Sequence, residues 1–356
     1  MTEEWRPDVL GEPFEQLTLP LGEDGEGPVV ATLVRSKADH SLLSDLFGDR
    51  RPLHDMDVLY VHGWSDYFFQ RSLAQYWTDR GADFYALDLR KYGRSLRPGQ
   101  TPGYITDLAT YDEDIAAALF AMGRPLDGAP SGRRLVLVGH STGGLTLSLW
   151  ASNHPGAAVA LILNSPWLEF QLSAVTRAAV APMVGLQARL RPLDTLPQVD
   201  MGFYTRAQRE VRGADLDVNP EWRPEQTMAV HNGWLHAILD GHTRVATGLH
   251  IDAPVCVLLS QKSAIPTRWS DELTRADTVL VVDDIARASL RLGDSVTVER
   301  IPGALHDIFL SRADARDIAY ERLDRWVMGS LGTKRLPLAP GAVSYTHLTL
   351  PTILRV

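Results

Sequence analysis

Two residues of this 356-residue chain stand in settings that would let them do covalent chemistry together. Ser141 lies in RRLVLVGHSTGGLTLSLW, Arg133–Trp150, with Gly139 two residues before it and Gly143 two after. The apolar run Leu135–Val138 predicts a strand, and the stretch from about Gly144 predicts a helix. A serine at the apex of so tight a strand–turn–helix has a strained backbone, and a side chain on either flank would collide. Glycine at both flanks removes the clash and leaves the hydroxyl exposed above the sheet edge. A serine hydroxyl is a poor nucleophile at neutral pH, so it needs a base to take its proton and a third group to hold that base. Eleven histidines compete for the role of base. His306, in IPGALHDIF, follows the strand-like SVTVERI and the turn Pro302-Gly303. That places it on a loop leaving a strand's C-terminal end, where a parallel sheet presents catalytic side chains.

The acid should lie between the strand Pro254–Ser260 and His306, where QKSAIPTRWSDELTRADTVLVVDDI offers Asp271, Glu272, Asp277, Asp283 and Asp284. Asp283 and Asp284 fall inside a predicted helix and face solvent. Asp277 and Asp271 each open a helical run and would serve equally well as plain N-caps. Asp277 is favoured, Asp271 comes next, and Glu169 is a remote alternative. Acyl transfer also needs donors directed at the developing oxyanion. The backbone N–H of Thr142 at the start of the helix is one. The other is the N–H of Trp64, in the loop after DVLYV, where Gly63 lets the backbone come close. The side chains of Trp64, Tyr67 and Phe68, with His62, Gly63 and Trp167, would line an acyl pocket, although simple core packing accounts for the aromatic residues equally well.

A formal net charge of −9, with no basic run longer than a pair, argues against nucleic acid or an anionic membrane surface as partner. Cys256 is the only cysteine, which excludes an intrachain disulfide and a cysteine-based metal site. The acidic N-terminus, broken by Pro7 and Pro13, lacks the features of a secretory signal, and no stretch is apolar for long enough to span a membrane. A cytoplasmic location is expected; the oligomeric state is not readable. After KRLPLAPG the character changes, and VSYTHLTLPT, Val343–Thr352, reads as a translated sequencing adapter at the end of a metagenomic fragment. Tyr345 and His347 therefore belong to no site.

The elements that must carry these residues follow from periodicity. Residues 14–36 read as a hairpin, and a mixed stretch to His54 as a surface helix and loop. Strands are predicted at Asp57–Val61, Asp83–Leu87 and Ala158–Leu163, alternating with helices at Tyr67–Gly81, Tyr111–Met122 and after Ser141. This is the pattern of an α/β fold with a mostly parallel sheet covered on both faces. Residues 167–250 break the rhythm with helical stretches at Leu172–Leu190 and Trp234–Leu249. Pro254–Ser260, Thr278–Leu292, Ser295–Ile301 and Ala313–Gly329 then restore it. The expected organisation is a core over 1–166, a helical insertion over 167–250, the second part of the core over 251–335 and a tail over 336–356.

With YVHGWSDYFF, DLRKYGRS, LVLVGHSTGG, the strand ending in NSP, ADTVLVVDD and IPGALHD in order between Val58 and Ser311, the chain resembles the α/β-hydrolase superfamily. Within it the chain is similar to the monoacylglycerol-lipase/lysophospholipase branch, with its serine aminopeptidase S33-type domain. Two departures stand out. Lys91-Tyr92 replace small residues of that branch's D-x-R-G-x-G-x-S loop, and the interval from Ser260 to Asp277 is longer than its usual acid loop. The resemblance implies a hydrolase without metal or cofactor, with a helical lid over an apolar pocket. Leu172, Val175, Met183, Leu186, Phe203, Trp222 and Trp234 would then be available to an acyl chain. Serine rather than aspartate at the apex argues against dehalogenase and epoxide-hydrolase chemistry. The expected activity is hydrolysis of a small-molecule ester with an apolar acyl group through an acyl-enzyme. Peptidase or amidase, thioesterase and C–C bond hydrolase on the same site are alternatives, as is a non-catalytic ligand receptor.

Overall fold

Strands β4 (Met56–Val61), β5 (Asp83–Asp88), β6 (Arg134–His140), β7 (Ala160–Asn164) and β8 (Val255–Ser260) are short, apolar and almost wholly buried. Such runs satisfy a parallel sheet covered on both faces. In the computed structural model, which describes residues 4–39, 51–126, 131–170, 184–197, 201–213, 216–264 and 267–331, they do pair in parallel, with β9 (Val296–Ile301) outside β8. The hairpin of β2 (Glu15–Asp24) and β3 (Gly27–Ser36) joins β5 antiparallel, and the two-residue β1 (Arg6–Pro7) pairs with β2. The order is β1-β2-β3-β5-β4-β6-β7-β8-β9, a mostly parallel sheet with an antiparallel N-terminal edge.

Alternate side chains of each strand face opposite layers. Leu59, Val61 and Leu137 pack into one core with residues of α2 (Tyr111–Ala121), α3 (Thr142–Asn153) and α5 (Asn232–Thr247). Val58, Tyr60, Val136 and Val138 pack into the other with α1 (Arg71–Thr78) and α7 (Ala313–Ser330). Helix α3 is buried around almost its whole circumference, as befits a helix at the centre of the molecule. Between β7 and β8 the chain makes a long excursion that carries α4 (Phe203–Arg212) and α5. Helix α5 docks on α3 so closely that a Cβ on Gly241 would lie 3.3 Å from Leu145 Cδ2.

Two helices are shorter than their periodicity suggests, for local reasons. Residues 67–70 precede α1 as loop, because the Phe68 N–H donates to Asp88 Oδ1 and the Phe69 N–H to Gln70 Oε1. The apolar run after Asp277 becomes helical only at α6 (Val282–Ser289). Asp277 Oδ1 takes the N–H groups of Val279 and Leu280, and the Val282 N–H donates to Ser263 Oγ. Side chains here offer the backbone an alternative to helix. Residues 40–50, most of the first helical stretch of the insertion (171–183) and the tail (332–356) lie outside the described residues.

Candidate active site

Strand β6 ends at His140 and α3 begins at Thr142, so the whole turn is made at Ser141. Its backbone sits at φ 51°, ψ −117°, a region that costs a residue with a Cβ about 1–3 kcal/mol. Neighbouring backbone holds it there. The Ser141 N–H donates to Asn164 O (3.1 Å), and its carbonyl accepts from the N–H of Trp167 (2.9 Å) and of Gly144 (3.0 Å). Both flanking glycines are required by close approach. A Cβ on Gly139 would stand 2.7 Å from Gly144 Cα, and one on Gly143 would overlap the His62 carbonyl.

His306 leaves β9 on a short loop and reaches back over the sheet edge. Its Nε2 is 3.0 Å from Ser141 Oγ, and its Nδ1 is 2.9 Å from Asp277 Oδ2. With Nδ1–H donated to the carboxylate, Nε2 is left to accept the serine proton. All three residues are buried. Asp277 joins the two readings open to it in the sequence: one oxygen caps the Val279–Leu280 turn while the other faces His306. The long approach to Asp277 is tied back to β8's exit, since the Asp277 N–H donates to Lys262 O and the Ala264 N–H to Asp277 O. Asp271 is exposed in a 3₁₀ turn, Asp271–Arg275, and is not part of this arrangement.

Thr142 is the first residue of α3, so its N–H has no intrahelical acceptor. Gly63 abuts the serine; a Cβ there would be 2.9 Å from Ser141 Cβ. Trp64 follows it and walls, with Ser141, His306, Trp167, Trp234 and Tyr204, a cavity of about 210 Å³. The rings of Trp64 and Trp234 lie 3.8 Å apart, centroid to centroid.

Four residues expected around the pocket do not line that cavity. His62 is a structural histidine: its Nε2 accepts the Leu89 N–H (3.1 Å), its Nδ1 donates to Gly63 O (2.8 Å), and burial lowers its pKa. Gly63 supports Ser141 from beneath. Tyr67 packs on Trp222, and its hydroxyl accepts the Asn219 N–H at 2.8 Å. Phe68 lies in the core between Tyr60 and Phe84. Trp64 and Trp167 do line it. Of the residues of the insertion expected at an acyl chain, Trp234 is in the cavity wall. Phe203 packs on Trp269 and Leu186 is exposed. Leu172, Val175 and Met183 lie outside the described residues.

Other residues of the site had no distinct signal in the sequence. Asn164, read there only as a strand end, accepts from Ser141 N–H and His140 Nδ1 through its carbonyl. Its side chain donates to Asp307 Oδ1 (2.8 Å) and accepts the Ile308 N–H (3.1 Å). It thereby joins the serine turn to the His306 loop. Gln70 donates to the other oxygen of Asp307 (3.1 Å). The His140 ring is 5.0 Å from that of His306, and burial lowers its pKa. Asp66 and Arg223, both in the cavity wall, form an ion pair at 2.9 Å.

A family profile described as serine aminopeptidase, S33, matches residues 54–312. A monoacylglycerol lipase of Mycolicibacterium smegmatis is 25% identical over 286 residues, 77% of this chain and 88% of that protein. Among solved structures, the monoacylglycerol lipase of Paleococcus ferrophilus is similar with a TM-score of 0.56 at 19% identity, over 77% of this chain and 94% of that one. A soluble variant of the monoglyceride lipase of Saccharomyces cerevisiae gives 0.61 at 16% identity, over 88% and 96%. With well over half of its length matched by that profile, the chain belongs to the serine aminopeptidase S33 family and is a monoacylglycerol-lipase-like α/β hydrolase.

Proposed function

We propose that the protein hydrolyses carboxylic esters through an acyl-enzyme on Ser141. The observation that carries this is the unbroken chain Ser141 Oγ–His306 Nε2, His306 Nδ1–Asp277 Oδ2 at 3.0 and 2.9 Å. In this reading His306 takes the serine proton as Oγ attacks the ester carbonyl, and Asp277 stabilises the imidazolium. The N–H groups of Trp64 and Thr142 receive the oxyanion. His306 then protonates the leaving alcohol, and water releases the acyl group by the same route. The segment between β7 and β8 serves as the cover of the site.

Amide-bond cleavage at a free N-terminus fits less well. It calls for a carboxylate free to hold the substrate's ammonium group, and among the described residues of the cavity wall the acidic one, Asp66, is already paired with Arg223. The cavity among the described residues, about 210 Å³, is below the ~300–1,000 Å³ common for small-molecule pockets, which favours a short acyl group. Burst kinetics with p-nitrophenyl butyrate and p-nitrophenyl laurate test the reading. The expected result is a burst of p-nitrophenol, a higher kcat/KM for the butyrate, and turnover lowered by ~10⁴-fold or more in Ser141→Ala. Folded wild-type protein that binds the esters without turning them over would overturn it in favour of a ligand receptor.

A further inference from the structure

The loop that leads from β4 to α1 carries Trp64, and the segment inserted between β7 and β8 grips the next three residues one after another. The Met228 N–H donates to Ser65 Oγ at 3.1 Å, Arg223 Nε donates to Asp66 Oδ1 at 2.9 Å, and the Asn219 N–H donates to Tyr67 Oη at 2.8 Å. Arg223 also reaches α4, where its Nη2 donates to Gln208 Oε1 at 2.6 Å. The same segment holds the other side of the site, since the Asp307 N–H, next to His306, donates to Tyr204 Oη at 3.1 Å.

Two features separate this grip from ordinary packing of a cover. Asp66 and Arg223 are only 4% and 7% exposed. A desolvated ion pair adds little net stability over an apolar contact, but it defines one geometry, and losing one partner leaves a buried charge. Ser65, between Trp64 and Asp66, has φ 54°, a left-handed conformation that serine seldom adopts without outside constraint. The backbone next to the Trp64 N–H is thus in a shape that its own sequence does not favour, and the contacts that bracket it come from the inserted segment.

We propose that Arg223 is a positioning residue: through Asp66 it fixes the Ser65 turn, and with it the Trp64 N–H as an oxyanion donor. The oxyanion site is then complete only when the inserted segment is seated, so enclosure of the substrate and competence for chemistry arrive together. This rests on the serine-hydrolase reading above. Lysine cannot replace the arginine, because one ammonium group does not reproduce the planar fork that serves Asp66 and Gln208 together.

The test measures steady-state kinetics of p-nitrophenyl butyrate for wild type, Arg223→Met, Arg223→Lys, Arg223→Ala with and without added guanidinium, and Asp66→Asn. Active sites are counted with a p-nitrophenyl phosphonate. Per titrated site, kcat is expected to fall ~10²-fold in Arg223→Met, the loss typical of one oxyanion donor, with KM changed less than about threefold, as for an interaction made only in the transition state. Arg223→Lys stays low, and guanidinium restores part of the rate of Arg223→Ala. Arg209→Met, which removes an exposed pair with Glu225 on the same inserted segment, leaves kcat unchanged. An unchanged kcat with raised KM overturns the proposal and makes the segment a cover alone. A loss accounted for entirely by fewer titrated sites also overturns it, as a stability effect. Should Arg223→Met not fold, Tyr67→Phe and Asp66→Asn decide the matter: kcat per site equal to wild type in both is the overturning result. Absence of turnover in wild type, or turnover undiminished in Ser141→Ala, would instead remove the serine-hydrolase reading itself.

Discussion

Asp277 shows at a single residue how a capping group and an orienting group coincide. Its two oxygens are divided between the Val279 and Leu280 N–H groups and His306. Asp277→Asn preserves an oxygen for the turn but sets an amide N–H₂ against His306 Nδ1, which then keeps its lone pair there and places its proton on Nε2. The imidazole would carry the wrong tautomer for accepting the serine proton. The expected outcome is a kcat loss of ~10⁴-fold with thermal unfolding within a few degrees of wild type; a loss under tenfold at intact Tm would assign the acid elsewhere. The sequence could narrow the acid to Asp277 or Asp271 by their place between the strand Pro254–Ser260 and His306, outside the helix expected to carry Asp283 and Asp284, although a plain N-cap role suited both equally. It could not show that only Asp277 lies beneath His306.

At the scale of an element, α2 illustrates a burial that works against its charge. Asp114, in the first turn, accepts from the Arg90 N–H and Nε, both at 2.7 Å. Burial nevertheless pushes its carboxyl up to about 6, outweighing the neighbouring Arg90 guanidinium. The unfolded chain releases this proton near pH ~3.9, so between about 4 and 6 the native state binds more protons than the unfolded one. Stability from this group is therefore largest at acid pH, falls as pH rises through that window and is level above it. Denaturant unfolding of wild type and Asp114→Asn across pH 4 to 7 measures it. The stability of wild type relative to the variant should decline with rising pH, and a difference that rises instead would contradict the shift.

For the whole molecule, Arg94 is the cross-link between the N-terminal segment and the loops at the end of the sheet that carries Ser141. It donates to both oxygens of Asp8 (2.6 and 2.9 Å), to Asp88 Oδ2 (2.8 Å) and to Phe68 O (3.0 Å), with all three charged side chains almost fully buried. Asp88 in turn accepts the Phe68 N–H and so anchors the loop that begins at Trp64. Arg94→Met leaves two buried carboxylates without their cation, and a loss of ~3–5 kcal/mol is expected by denaturant unfolding. A change below about 1 kcal/mol would mean that the carboxylates protonate or rearrange at little cost.

What the sequence by itself determined was whatever depends on contacts within a few residues. The strand–turn–helix around Ser141, its two glycines and the alternation of buried strands and helices follow from local sterics and periodicity. The place of an aromatic does not: Phe68 and Trp64 are equally apolar in sequence, yet one enters the core and the other the cavity wall, because both environments accept the same surface. Pairings across long separations were equally hidden. Asp66 meets Arg223 over 157 residues and Asn164 meets Asp307 over 143. Nothing near either residue specifies its partner, because such contacts depend on the path of the whole chain. Only the tertiary structure could decide them.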